Sequence, residues 1–401
     1  MPLLAPVLDA ARKRGESIRK ALQPAQLAAW HSILLSQWWL PLQEQGTANG
    51  RANGTAGRRL HVGVDGTSHS IELSSGAHFI LAAAAAAGPE PVCQRTAADL
   101  EVIPGRYELS DAATARDLMM QVLEAMVAGE AAGAIHEAGH SETAIVWLDG
   151  SLHSSLVHLA GSPGPLFEER SLEGEGRRTR WDRNADRALH LLRARASLLS
   201  HAERSGLWVV SVAKTQRASF LFDALATTPG GLTRGADERA ADGELLAAMP
   251  VGWSWPVVLD GRRIAGAAAL PPAAREALAA CPAMISFYVR PHAADLPLRV
   301  DMPAFLAGLP DRWLPGPGSE DQRETGPWLP DPELVRPVLE AVLHSYGGIH
   351  AYNAPLFAVD RLVRLSRREV ETRYLPICAR AIGVDPRLLA VDRGRRRFLL
   401  A

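Results

Sequence analysis

Two apolar runs with the composition of buried strands end on the same dipeptide, HVGVDG at Asp65 and AIVWLDG at Asp149. Apolar residues at successive positions, without alternation, belong to a strand covered on both faces, as parallel strands of α/β sheets are. A carboxylate at the carboxyl end of such a strand emerges where open α/β sheets place their ligands. Asp-Gly recurs at Asp242 and Asp260, and alone it signals only a tight turn. WPVVLDGRR at Asp260 has the same outline, but basic residues directly after the turn suit an exposed hairpin. Two carboxylates on adjacent strands repel, so the pair at 65 and 149 is stable chiefly with a cation between them. Oxygen donors select hard ions, Mg²⁺ or Mn²⁺.

The rest of the chain can be arranged around those strands. Residues 5–45 place Leu22, Leu27, Trp30, Leu34, Leu35 and Trp38 at helical spacing, and the polar QEQGTANGRANGTAG follows. HFILAAAAA and LEVIPGRYELS are the next predicted strands. Ser110 or Asp111 caps a predicted helix over AATARDLMMQVLEAMVAGEAA, with Leu118, Val122, Ala125 and Met126 on one face. Residues 163–205 are rich in Arg and Glu and end in a helical pattern; LWVVSVAK then reads as a third buried strand. Residues 222–280 are rich in Ala, Gly and Pro and read as peripheral excursions. AMISFYVRP and LPLRVDMP read as an antiparallel pair, and two helical patterns close the chain. The order is that of an α/β protein with a mixed sheet.

Composition excludes several classes. A net charge of −1 rules out a globally basic nucleic-acid coat protein, though not a local basic channel. Cys93, Cys281 and Cys378 lack CxxC spacing, which argues against a disulfide framework or a thiolate zinc site and suits a reducing interior. The N-terminal order of apolar and charged residues is wrong for a secretory signal, and HFILAAAAAAGP is far short of a membrane span, so a cytoplasmic protein without a membrane is expected. All but three of the 43 basic residues are arginine; of the lysines, Lys13 and Lys20 fall on the first helical segment and Lys214 stands alone in mid-chain.

Other acids are candidates for the same site. Glu124 borders the apolar face of the predicted helix, where it either snorkels to water or joins the strand carboxylates, and Asp360 in APLFAVDRLVRLS poses the same question.

Several short blocks in this order resemble the NurA nucleases: VDGTS, IVWLDGSL, VVSVAKTQRASFL, SFYVRPH, LPLRVDMP and APLFAVDRLVRLS, spanning about residues 59–370. The resemblance implies an RNase H-like mixed sheet flanked by helices, with a helical extension over residues 1–55, the nuclease domain over 56–385 with insertions at about 163–205 and 222–280, and a basic tail over 386–401. It implies a deoxyribonuclease holding two divalent ions, Mn²⁺ or Mg²⁺, that cleaves DNA from 5′ to 3′ and nicks single strands. It also implies a homodimer that docks on a hexameric HerA-type translocase in end resection. The family's acidic ligands fall on Asp65 and Asp149, and its helical glutamate on Glu124, with Glu130 as the alternative because GEAAGAIHEAGHSE reads as an insertion. Asp360 stands where many members have histidine. Lys214 would contact the scissile or an adjacent phosphate; Arg217, Arg290 and Arg299 would contact the backbone; Tyr288 would stack on a base or pack in the core. Trp30, Trp38 and Trp39 offer a contact for the translocase or are buried under their own helix.

Two other classes compete. HEAGH at residues 136–140 matches H-E-x-x-H, which on a helix would place His136 and His140 toward zinc with Glu137 as general base. The glycines before it and the strand directly after it leave little room for a long buried helix. A non-catalytic DNA-binding scaffold of the same fold is the third class, opposed by the presence of the carboxylates.

Overall fold

The structure is a computed structural model that describes residues 4–22, 28–42, 59–105, 109–154, 156, 183–214, 219–227, 241–259, 270–309, 330–385 and 389. Its centre is a mixed sheet. Strands β1 (Trp39–Pro41), β2 (Leu60–Glu72), β3 (His78–Ala87), β4 (Gln94–Ile103), β5 (Ala144–Asp149), β6 (Trp208–Ala213), β7 (Gly252–Ser254), β8 (Val257–Leu259), β9 (Met284–Arg290) and β10 (Leu298–Pro303) run in the order β1-β7-β9-β10-β6-β5-β2-β3-β4, with β8 also on β9. The segment β2-β3-β4 is an antiparallel meander, while β5 lies parallel to β2 and β6 parallel to β5. That arrangement is RNase H-like.

Burial on both faces explains the apolar character of the central strands. One face packs against α3 (Leu109–Glu137) and α4 (Arg183–Ser205) through residues such as Val62, Val64, Val146, Leu123 and Leu192. The other packs Ile145, Trp147, Val210 and Val212 against α8 (Arg336–Ser345) and α9 (Ala354–Val363). The run of alanines in β3 lets helices approach both faces closely: Ala82, Ala84 and Ala86 lie on the α3 side, Ala85 on the other. By length and hydropathy α3 would pass for a membrane span, but it is a core helix lying across β2, β3 and β4.

Three expectations about organisation need correction. The N-terminal region, with α1 (Leu4–Leu22) and α2 (Ala28–Ile33), is not a separate extension throughout: β1 pairs with β7, and Trp30, Trp38 and Trp39 are buried beside α5 (Phe220–Thr227) and α6 (Asp242–Leu246). This burial removes those three tryptophans from any exposed docking face. The insertion expected at about 163–205 does end in a helix, but α4 is part of the core: its Ala188, Leu191, Leu192 and Leu199 are buried and pack on α3. Nor are residues 222–280 wholly peripheral: β7, β8 and the short α7 (Pro272–Ala279) pack into the sheet and core. The antiparallel pair β9-β10 forms as expected. The 386–401 tail, residue 389 apart, and the Asp260 hairpin lie outside the described residues.

Candidate metal and nucleic-acid site

The two Asp-Gly signals have different structural causes. At Gly150, φ is +92°, so β5 ends at Asp149 and the chain turns in a conformation that favours glycine. At Gly66 the strand does not end: β2 continues to Glu72, paired with β3 along its length. Asp65 is therefore a mid-strand residue, contrary to its expected place at a strand end; what ends near Val64 and Leu148 is the β2-β5 pairing. Both carboxylates still reach the same edge of the parallel strands, side by side.

Glycines flanking Asp65 bring helices onto both faces of β2. A side chain at Gly63 would overlap the Pro355 carbonyl, so the start of α9 rests directly on the strand backbone. A Cβ at Gly66 would lie 2.6 Å from Glu124 Oε1 and 2.8 Å from Met120 Cγ of α3. Asn353 and Pro355 start α9: the Asn353 side chain accepts a hydrogen bond from Leu356 N at 3.1 Å. Asp360 of that helix acts electrostatically on Asp65.

The four acids thus come from β2, α3, β5 and α9. Burial, followed by Asp149 and Asp360, pushes the Asp65 carboxyl up to about 7, against the Gly66 N–H that donates to it at 2.7 Å and against Lys214. Burial and then Asp65 push Glu124 up to about 8, opposed by Arg195 of α4. Of the two helical acids, Glu124 is half-buried against β2, whereas Glu130 is exposed further along the same uninterrupted helix. The stretch read as an insertion is the last turns of α3, to Glu137, and the short turn that leads into β5. The carboxylates surround a region rather than converge on one point, since no three His, Cys, Asp or Glu side chains among the described residues stand at mutual ligand spacing.

Among the described residues, Lys214 and Arg195 border the acids. Lys214 Nζ lies 3.3 Å from Asp149 Oδ2 and 4.1 Å from the centroid of the Tyr352 ring, with its side chain half-exposed. Arg195 is buried; its Nη2 donates to Gln121 Oε1 at 3.2 Å while Nη1 has no hydrogen-bond partner. Arg195 shares a cavity of about 30 Å³ with Glu124, Asp149, Ser151 and Ser211, roomy enough for a water or an ion. Neither Arg195 nor Tyr352 was singled out by the sequence; arginine is too common here to signal one position.

The predicted DNA contacts fare differently. Tyr288 is fully buried and donates to Asp242 Oδ2 at 2.8 Å, so it packs and bonds inside the protein and does not stack on a base. Asp242 is not a turn residue but a buried acceptor for Tyr288 and for the N–H groups of Leu221 and Phe222 at the start of α5. Arg299, also buried, bonds Asp301 Oδ1 at 2.7 Å and Ser154 Oγ at 2.7 Å. Asp301 further accepts from Ser151, from Ser286 and from His153 N, so the Arg299–Asp301 pair anchors the turn after Asp149 and leaves Arg299 no free face for a phosphate. Burial pushes the Asp301 carboxyl up, but Arg299 and His153 hold it below its ordinary value. Arg290 is engaged with the carbonyls of Ala247, Met249 and Ala293, a local clamp rather than a backbone contact. Arg217 lies outside the described residues.

The HEAGH segment does not form the geometry that the competing zinc reading requires. The helix ends at Glu137, with Gly139 N bonded to His136 O and His140 N to Ile135 O, so the two histidines do not share a helical face. The helix is long, contrary to the sequence expectation; it stops between the histidines. His136 instead contacts Ser141 Oγ at 3.3 Å and the His201 ring.

Comparisons with known proteins agree with this architecture. The sequence model described as the NurA domain matches residues 59–365. The crystal structure of the NurA nuclease from Sulfolobus solfataricus is similar, with 16% identity and a TM-score of 0.53, covering 94% of this chain and 97% of that chain. A NurA crystal structure with manganese is 14% identical, with a TM-score of 0.49, covering 95% of this chain and 98% of that chain. No protein of curated function matches in sequence. The matched span takes in Asp65, Glu124, Asp149, Lys214 and Asp360, and the chain belongs to the NurA nuclease family.

Proposed function

We propose that the chain is a divalent-metal-dependent deoxyribonuclease that hydrolyses phosphodiester bonds at the edge of β2, β5 and β6. The observation that carries this reading is that Asp65, Glu124, Asp149 and Asp360, brought in by four elements, surround one region, with Asp65 and Glu124 driven toward neutrality by burial and crowding. Such a set fits a hard cation, because its donors are all oxygens and their repulsion is relieved by positive charge. Asp65, Asp149, Glu124 and Asp360 would hold the ions, Mn²⁺ or Mg²⁺ and two in number as the family resemblance implies. Bound ions of this class supply a water activated at neutral pH and stabilise charge on the attacking and leaving oxygens.

The chain's own residues do the rest. Lys214, half-exposed beside Asp149, offers its ammonium to a DNA phosphate. The buried Arg299–Asp301 pair keeps the Asp149 turn in place. Exonuclease action from 5′ to 3′, single-strand nicking, a homodimer, a HerA-type translocase partner, a role in end resection and a cytoplasmic site follow from the resemblance and complete the proposal. The test is cleavage of single-stranded DNA with Mn²⁺: Asp65→Asn and Asp149→Asn should each abolish it while the protein stays folded. Near-parental cleavage by either variant would refute the site.

A further inference from the structure

Tyr352 touches both charged partners at the edge of the site. Its hydroxyl donates to Asp149, and its ring carries the Lys214 ammonium at 4.1 Å. The residue is held from its own side of the chain: Gly347 N bonds Ala351 O at 2.8 Å, Ala351 N bonds Gly348 O at 2.9 Å, and Asn353, next in sequence, is the buried cap of α9. The same turn therefore fixes Tyr352 and launches the helix that carries Asp360.

Lys214 poses a problem that Tyr352 answers. Its ammonium is 3.3 Å from Asp149 Oδ2, and on a flexible four-carbon stem that single contact leaves its direction toward a phosphate undetermined. The ring face gives the ammonium a second seat that takes no charge from Asp149. The hydroxyl, bonded to Asp149, limits the carboxylate's rotation in the way that outer partners orient metal ligands.

We propose that Tyr352 is a positioning residue that acts through both neighbours, its hydroxyl orienting Asp149 and its ring seating Lys214 toward a DNA phosphate. The inference rests on the nuclease reading above. Tyr352→Phe removes the first function and keeps the second; Tyr352→Leu removes both. In the full chain without DNA, the Mn²⁺ concentration giving half of the maximal thermal shift should rise about tenfold in either variant. The salt dependence of single-stranded DNA binding, measured in Ca²⁺, should be parental for Tyr352→Phe and flatter by about one phosphate contact for Tyr352→Leu. Turnover at saturating Mn²⁺ should fall clearly only in Tyr352→Leu. In a Lys214→Ala background, Tyr352→Leu should flatten the slope no further.

A merely structural tyrosine would show no such split. Identical behaviour of the Phe and Leu variants in salt slope, or a parental Mn²⁺ midpoint in Tyr352→Phe, overturns the proposal. If Tyr352→Leu fails to fold, the Phe midpoint still decides the hydroxyl's role. Asp149→Asn is the control: if that variant cleaves DNA like the parent, the metal-site reading itself has failed.

Discussion

Gly66→Ala separates the site from the fold. The added methyl would stand 2.6 Å from Glu124 Oε1, 2.8 Å from Met120 Cγ and 2.9 Å from Glu124 Cγ. For ordinary contact, at about 3.4 Å or more, the glutamate oxygen must retreat by about 0.8 Å. The retreating atoms are ends and middles of flexible side chains, and the strand backbone at Gly66 has no left-handed φ to strain. Overpacking costs about 1–3 kcal/mol, and replacing glycine in a strand returns up to about 1 kcal/mol of chain entropy. The net loss should be about 1 kcal/mol, a shift of a few degrees in Tm. A displacement near 1 Å at a catalytic ligand can cost about 10²-fold in rate. We therefore expect turnover on single-stranded DNA to fall 10- to 100-fold, with a raised Mn²⁺ requirement, in a protein that melts almost normally. Gly63→Ala, at the other face of the strand, should do the reverse in kind: its methyl meets the Pro355 backbone, which cannot step aside without moving α9, so stability should drop by about 3 kcal/mol or more. Melting curves and Mn²⁺ titrations of the two variants decide the matter. Full activity in Gly66→Ala, or an activity loss that merely tracks unfolding, would falsify the placement of Glu124.

Stability without divalent ions should fall as pH rises from about 5 to 9, because Asp65 and Glu124, raised to about 7 and about 8, bind protons more tightly in the folded chain than in the unfolded one. Their stabilising contribution is complete below the ordinary carboxylate range and is lost as pH climbs through the folded values; Mn²⁺ should flatten the curve, and a melting temperature that instead climbs with pH would contradict the crowding. Lys214→Arg should lower turnover and Lys214→Ala should lower it further, with metal affinity nearly unchanged, since a planar guanidinium does not replace a compact ammonium between Asp149 and Tyr352; parental kinetics in Lys214→Arg would make it an ordinary surface lysine. The paired change His136→Ala and His140→Ala should leave Mn²⁺-dependent cleavage intact, and elemental analysis of the parent should show no stoichiometric zinc.

What the sequence made legible follows from how far each signal reaches. The composition of HVGV, AIVWL and LWVVSV announced strands covered on both faces, because burial acts on each residue where it stands, and the three strands do lie adjacent as β2, β5 and β6. Asp149 stood out as the residue that closes a buried strand, and Lys214 by the scarcity of lysine in an arginine-rich chain; the structure puts the two side by side. Relations between distant segments were not local and escaped. The partners that bury Tyr288 and Arg299 are Asp242 and Asp301 together with the turn at residues 151–154, up to 146 residues away, so sequence left an interior bond and a surface charge indistinguishable. Gly63 and Gly66 show the limit most plainly. Gly66 read only as half of a turn signal and Gly63 as one more residue of an apolar run, yet each is required by what crosses the strand there: the backbone of α9 on Gly63 and the side chain of Glu124 on Gly66. In a sheet covered on both faces, glycine beside a carboxylate marks where a helix can bring a second carboxylate up to the first, and Asp65 lies between two such positions.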